Sequence, residues 1–481
     1  MKKKWIFALA LSATLFGSAS FVSVYATTEI NLPDDLKQQV EKTSQLIQSN
    51  SEDAEDALTS LLKKCKDKEL VMGIGNYFLD KGQMKAAIAC AERVYKLDNK
   101  FVPGLLFEGK VYEAAGDKGL AGQKYEEAIY TDVDCIDAYV AKAHLYKSIN
   151  ATIAKETLLE LKAKGVTSPE INRELASVYY QLNDVPNAIS AYKEYFANNP
   201  NIGLDAKKEY AILQYLSKDF AGSLQTINEV IGKEPKDLSL NRMKFYNLVE
   251  EDKLDEAKAA AANLFGQYAD TLYNFNDYAQ RAYLNVKLKN YTAAIPDFEK
   301  ALSLNSEKLD FYKDISDAYE RSKDYDKAIA AFNAFMDKKG DNSSLNDRRD
   351  LGKVYYNAAI DAQLKGLSEK FKTYVALGDT AFAEVCEKSD SYVGPFYRAK
   401  INLLLDLQNP LEAPKNYFAE ALKRMEGKGA AYDSYRKDCY AYLMFYAFKH
   451  DNLALTKEYY QKVIAIDPNN ENAKTIAPAL K

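Results

Sequence analysis

LDFYKDISDAYERSKDYDKAIAAFNAFMDKKGD, from Leu309 to Asp341, holds two apolar stripes separated by a short polar turn. Tyr312, Ile315, Ser316 and Tyr319 fall at i, i+3, i+4 and i+7, which is one face of a helix. After Ser322-Lys323-Asp324, the residues Tyr325, Ala328, Ile329, Phe332 and Phe335 make a second such stripe. The short Ser and Ala let two helix backbones come close, and the aromatics on either side fill the remaining gap. The first question is what covers the rest of each stripe.

The chain answers by repeating the unit. KNYTAAIPDF at Lys289 to Phe298, NDVPNAISAY at Asn183 to Tyr192 and KDFAGSLQTI at Lys218 to Ile227 echo KDYDKAIAAF at Lys323 to Phe332. Gly75 recurs as Gly109 and Ala87 as Ala121, a step of 34, while Ser223, Ala257, Ala294 and Ala328 follow at 34, 37 and 34. A period near 34 is the mark of stacked helix pairs, each burying its apolar face only against its neighbours. With 21 Gly and 12 Pro in 481 residues, short polar connections between helices fit better than a many-stranded sheet.

At these positions the sequence resembles the tetratricopeptide repeat family. One unit carries its pattern as Leu105, Gly109, Tyr112, Ala121, Tyr125 and Ala128; another as Leu175, Ala176, Tyr179, Ala188, Tyr192 and Pro200. Tyr440, Leu443, Tyr460, Val463 and Pro468 echo it near the end. Units fall near 68–101, 102–135, 136–166, 169–202, 204–237, 238–264, 275–308, 309–342, 345–392, 393–426 and 437–470. No tryptophan takes the bulky position, where Val71, Tyr139, Tyr278, Tyr312 and Phe396 stand. The resemblance implies an all-α, right-handed superhelical solenoid of about ten helix pairs. The expected organisation is capping helices at 27–67, a first arm at 68–264, a connecting insertion at 265–274 and a second arm at 275–470. An insertion near 357–373 is a second candidate bend or a lengthened helix, and 471–481 caps the end.

MKKKWIFALALSATLFGSASFVSVYA combines three lysines, an apolar stretch from Trp5 to Phe16 and the small-residue pattern Val24-Tyr25-Ala26. It reads as a signal peptide over 1–26, which predicts an exported protein, periplasmic or extracellular in a bacterium. Its removal moves the formal charge from −5 to −8. Nucleic acid and anionic membrane surfaces both require a basic footprint and are not expected partners. Cys65, Cys90, Cys135, Cys386 and Cys439 are scattered with no CxxC, and His144 and His450 are the only histidines. Neither a metal site nor a thiol redox motif is expected, and the cysteines read as small buried hydrophobes.

The chain has no GxSxG, HExxH, GxxxxGK or GxGxxG, so no catalytic residue and no cofactor is assigned. Binding is what remains. The first helix of each pair is expected to line the inner wall of the spiral, where the fifth position of successive units holds Arg173, Lys208 and Arg242. Tyr180 and Tyr215 stand seven residues further on, and Tyr246 and Tyr283 take the corresponding slot one turn earlier in the next two units. Cations flanked by tyrosines suit an extended, carboxylate-bearing peptide, since Arg forks onto carboxylates and Tyr adds contact area at low entropic cost. The carboxylate clamp of some family members is not reproduced: Asn76 matches one place, but Met72 and Phe107 occupy others. The expectation is a non-catalytic, protein-binding scaffold of the cell envelope. The alternative is a glycan-binding surface protein similar to the starch-utilisation proteins, although Trp-bearing loops and a lipid-anchoring Cys are missing from the chain after residue 26.

Overall fold

A computed structural model describes residues 32–199, 202–407 and 409–480; the expected signal peptide, Pro200 and Lys481 lie outside the described residues. Every regular element among the described residues is a helix. The quoted stretch becomes two of them, Asp310–Arg321 and Tyr325–Lys339, joined by the expected turn. Lys323 sits there in the left-handed region at φ 64°. This lets its N–H reach the Glu320 carbonyl and the Asp324 N–H reach that of Tyr319, each at 2.9 Å, which satisfies the carbonyls that a helix end leaves open. The Asp324 carboxylate then accepts from the Lys327 N–H at 3.4 Å to start the second helix. Where the two helices come closest, the buried Ser316 hydroxyl donates to the Ala328 carbonyl at 2.8 Å.

The same pair is built throughout. Asn183, Lys218, Lys289 and Asp451 hold the left-handed turn position elsewhere, and Gly82, Gly116 and Gly366 hold it in other pairs. The turn conformation is therefore the constant, and the residue that adopts it varies. Where Gly rather than Ser or Ala occupies the close approach, the helices are tighter still: a Cβ on Gly109 would lie 2.3 Å from Cε1 of the buried Tyr125 ring.

The chain forms two compact units, one up to Glu251 and one from Asp252. The first comprises α1 (Asp34–Gln48), α2 (Ala54–Lys64), α3 (Lys68–Asp80), α4 (Met84–Leu97), α5 (Val102–Ala114), α6 (Lys118–Thr131), α7 (Ile136–Lys147), α8 (Ala151–Ala163), α9 (Pro169–Gln181), α10 (Val185–Asn198), α11 (Leu204–Leu216), α12 (Phe220–Val230) and α13 (Leu238–Glu250). The second comprises α14 (Leu254–Gln267), α15 (Phe275–Lys287), α16 (Tyr291–Leu304), α17 (Asp310–Arg321), α18 (Tyr325–Lys339), α19 (Leu345–Leu364), α20 (Ser368–Glu387), α21 (Val393–Leu403), α22 (Glu412–Arg424), α23 (Asp433–Lys449), α24 (Leu453–Ile466) and α25 (Glu471–Ile476). Within each unit, consecutive helices pack as pairs and each pair packs on the next, so the cores run along the stack. One such core joins Tyr139, Leu158, Leu175, Tyr192 and Leu213 from three successive pairs. Each fully buried side chain of this size contributes about 1.5–3 kcal/mol, which is how a pair too thin to bury its own stripe becomes stable in company.

The two places singled out as lengthened connections are both packed. After α14, a 3-10 turn at Asp270–Leu272 leads to Tyr273, whose hydroxyl donates to the Leu264 and Tyr268 carbonyls at 2.8 Å each. The stretch near 357–373 is helical on either side of a turn at Lys365–Leu367, because α19 and α20 run to 20 residues each and absorb the extra length as added turns. Gln363 Nε2 of α19 donates to the Leu404 carbonyl at 3.1 Å, and Lys370 and the Tyr374 hydroxyl of α20 reach Asp326 of α18. Those contacts tie the extension to the pairs on both sides.

All five cysteines are free thiols, with Cys65, Cys90 and Cys439 buried. Burial pushes the Cys90 thiol up to about 12. No helix among the described residues is long and apolar enough to cross a membrane.

The close approach at Gly109 gives a test of the packing. Gly109→Ala forces a methyl into a Tyr125 ring that is 1% exposed and tethered through its hydroxyl to Glu113 at 3.0 Å. The expected cost is about 1–3 kcal/mol, read as a lower midpoint in urea unfolding followed by far-UV circular dichroism.

Candidate partner-binding face

In the first unit the first helices of successive pairs approach one another directly, α3 with α5, α5 with α7, α7 with α9 and α11 with α13. Among the second helices of that unit only α2 and α4 come as close. The first-helix side is therefore the inside of the bend in this unit, as expected.

The side chains on that side are largely spoken for by the next pair. Arg173 of α9 is 39% exposed and points Nη2 at Glu209 Oε1 of α11, 3.7 Å away. The Tyr192 hydroxyl of α10 donates to the other oxygen of the same carboxylate. Burial pushes the Glu209 carboxyl above its ordinary value, although Tyr192 and Arg173 both pull it down. Lys208 of α11 pairs with Asp237 at 2.7 Å, with Glu234 and, more loosely, with Asp205 at 3.8 Å. Burial alone would depress the Lys208 ammonium, but these carboxylates hold it above the usual lysine range.

Three of the residues assigned to an open groove lie inside. Arg242 is 6% exposed, Tyr246 1% and Tyr215 6%. The rings of Tyr215 and Tyr246 stand 6.4 Å apart, joining α11 to α13 as core. The physical reason is the bend itself, since first helices that crowd on the inner side cover the residues between them. Tyr180 is half-buried against the core of its own pair. Tyr283 belongs to the second unit, where its hydroxyl donates to Asp314 at 2.8 Å and its ring meets Phe298 edge-on at 5.0 Å. Of the expected column, Arg173 and Tyr180 of α9 and Lys208 of α11 remain partly accessible within the first unit.

Acids that no sequence motif marks organise this face. Glu174, Glu209 and Asp314 each stand two residues before the small residue of a first helix, at Ala176, Ala211 and Ser316. Each is engaged by the preceding pair: Glu174 by Lys147 at 3.0 Å and His144 Nδ1 at 3.3 Å, Glu209 by Arg173, and Asp314 by Tyr283. Lys147 also donates to Ser177 at 2.9 Å. The recurrence at a fixed offset was the available signal, hidden because surface carboxylates are common at every other position. Glu174 is almost wholly buried, and burial alone would raise it; Lys147 and His144 outweigh that and hold it at about 2.

Glu174 therefore makes stability depend on acid. Its folded value of about 2 lies below the reference 4.5, so its contribution is complete above about 4.5 and disappears as pH falls toward 2. Glu174→Gln is expected to lose about 1–3 kcal/mol at pH 7, with the gap to the native chain closing between pH 4.5 and pH 2 in thermal melts.

Models described as tetratricopeptide repeat match residues 69–101 and 279–343. A TPR repeat-containing protein of Methanocaldococcus jannaschii is 22% identical over 338 residues, covering 57% of this chain. The chain spans 58% of that relative's length. Among solved structures, the C-terminal part of a TPR repeat-containing protein from Cytophaga hutchinsonii aligns at a TM-score of 0.47 and 19% identity, over 56% of this chain and 98% of that one. A tetratricopeptide repeat protein from Parabacteroides merdae aligns at 0.37 and 19%, over 52% and 98%. Repeats of this kind commonly mediate protein–protein interaction and are generally not catalytic. The recurring helix pair, its close-approach residues and these matches make the chain similar to multi-repeat proteins built of tetratricopeptide repeats.

Proposed function

We propose that this protein is a non-catalytic scaffold of the cell envelope that captures a partner polypeptide along the inner, first-helix side of its first unit. The observation that carries the reading is the inward bend of α3 to α9, which sets rows of partly exposed polar and aromatic side chains in register. Arg173, Ser177 and Tyr180 stand there on α9, with Lys147 beside them on α7 and Lys208 beyond them on α11. An extended chain laid across successive first helices meets one such group per repeat, and affinity accumulates from many modest contacts. Arg and Tyr are the residue types that most often dominate such interfaces. The leader-like segment at 1–26 supports localisation in the envelope.

The test uses geometry. A photo-crosslinking amino acid is placed at Ser177 on the inner face, and in a second version at Lys193, exposed on α10. After irradiation in intact cells, mass spectrometry identifies the captured peptides. The expected result is one partner captured from 177 and absent from 193. The same partner captured equally from both, or from 193 alone, would refute the assignment.

A further inference from the structure

Arginine–carboxylate contacts across neighbouring helices are not equal. Arg281 grips Asp297 through Nε at 2.9 Å and Nη2 at 2.6 Å, and Arg398 grips Asp379 at 3.0 and 2.9 Å. Arg173 touches Glu209 through one nitrogen at 3.7 Å, beyond hydrogen-bond length, and keeps 39% of its side chain in water. Glu209 itself is only 17% exposed and has a second tie, the Tyr192 hydroxyl. The carboxylate is thus anchored from behind while the guanidinium in front of it is loosely held and reachable.

We propose that Glu209 is a built-in competitor for Arg173: it occupies the guanidinium that an anionic segment of a partner would use, so capture of such a segment on this face is gated by release of that contact. This rests on Arg173 being a partner contact, as argued above. The segment is polypeptide, because the accessible groups recur at repeat spacing along successive helices, the step at which an extended chain can meet them. Two events free Arg173. A stronger anion displaces Glu209 by offering the fork a bidentate partner. A proton neutralises Glu209, which can keep its bond to Tyr192 but no longer attracts the guanidinium.

Burial makes the second event accessible, since it raises the Glu209 carboxyl. The charged and titratable groups around it are Arg173 and Glu174 from α9, Tyr192 and Tyr195 from α10, Lys147 from α7, and Asp205 and Lys208 of its own helix. From α12, Glu229 is turned to Lys207 at 2.7 Å, and ahead of α13 Asp237 and Glu234 are taken by Lys208, while Arg242 of α13 is buried. Glu174 is the other carboxylate in range, and it holds its charge to about pH 2. Lys147 and His144 of α7 hold Glu174 down, whereas burial pushes Glu209 up.

The experiment uses the full chain and a fluorescent hexapeptide of cysteic acid, whose sulfonates stay charged throughout, with binding read by fluorescence anisotropy between pH 7.5 and pH 5. The native chain is expected to bind more tightly as pH falls. Glu209→Gln is expected to bind at least about fivefold more tightly at pH 7.5 and to show a flat profile, and adding Arg173→Gln is expected to remove the gain. Equal affinity of native and Glu209→Gln chains overturns the proposal, as does a gain that survives loss of Arg173. If Arg173→Gln alone weakens the native chain while Glu209→Gln is silent, the gate falls and the groove stands; if neither changes affinity, both fall. Far-UV circular dichroism controls for folding. Should Glu209→Gln lower helicity, Glu209→Asp, which shortens the reach toward Arg173, is the second variant and must also tighten binding.

Discussion

Everything in this protein depends on how near two helix backbones can come within a pair. At the crossing point one residue must be small, and Gly109 and Gly352 on one hand and Ser316 on the other show two ways of meeting that demand. Gly109 lies flat against Tyr125 and Gly352 against Phe382, while Ser316 adds a hydroxyl that reaches the facing carbonyl. Closeness there lets the aromatics of the second helix fill the space to either side at native density. Once a pair is that thin it cannot cover its own stripe, and stacking on the next pair follows.

Stacking brings polar groups of one pair against the next, and the chain handles this with charge. Glu174 and Glu209 enter the crowded side between first helices, where a lone carboxylate would be costly to bury. Each is met by a donor from the pair before it, so the ion pairs work as fasteners between repeats and also consume cations that would otherwise face a partner. Arg173 is the exception in degree. It is paired at a distance that holds it in place without binding it fast, which is why the structural fastener and the candidate contact can be the same side chain.

Much of the fold was legible. The stripes at Leu309 to Asp341, the turn at Ser322-Lys323-Asp324 and the period near 34 correspond to helices, a left-handed turn and stacked pairs as anticipated. The site was legible only in phase. Register placed Arg173, Lys208, Arg242, Tyr180, Tyr215 and Tyr246 on first helices of the first unit, and they are there. It could not say that α11 and α13 approach closely enough to bury Tyr215, Tyr246 and Arg242, because burial of that kind depends on the angle between neighbouring pairs. Helical phase is a property of one segment, whereas coverage is a property of two.

The sequence by itself determined the local terms: helix, turn, the small residue at each crossing and the repeat that multiplies them, since each follows from the shape and conformational range of side chains a few positions apart. Tertiary structure decided which residues on the inner side stay in water and which cations are already answered by an acid. Those outcomes arise between residues more than 25 positions apart in sequence, as with Lys147 and Glu174 or Arg173 and Glu209, where a change of a few ångströms in approach separates a tight ion pair from a reachable guanidinium.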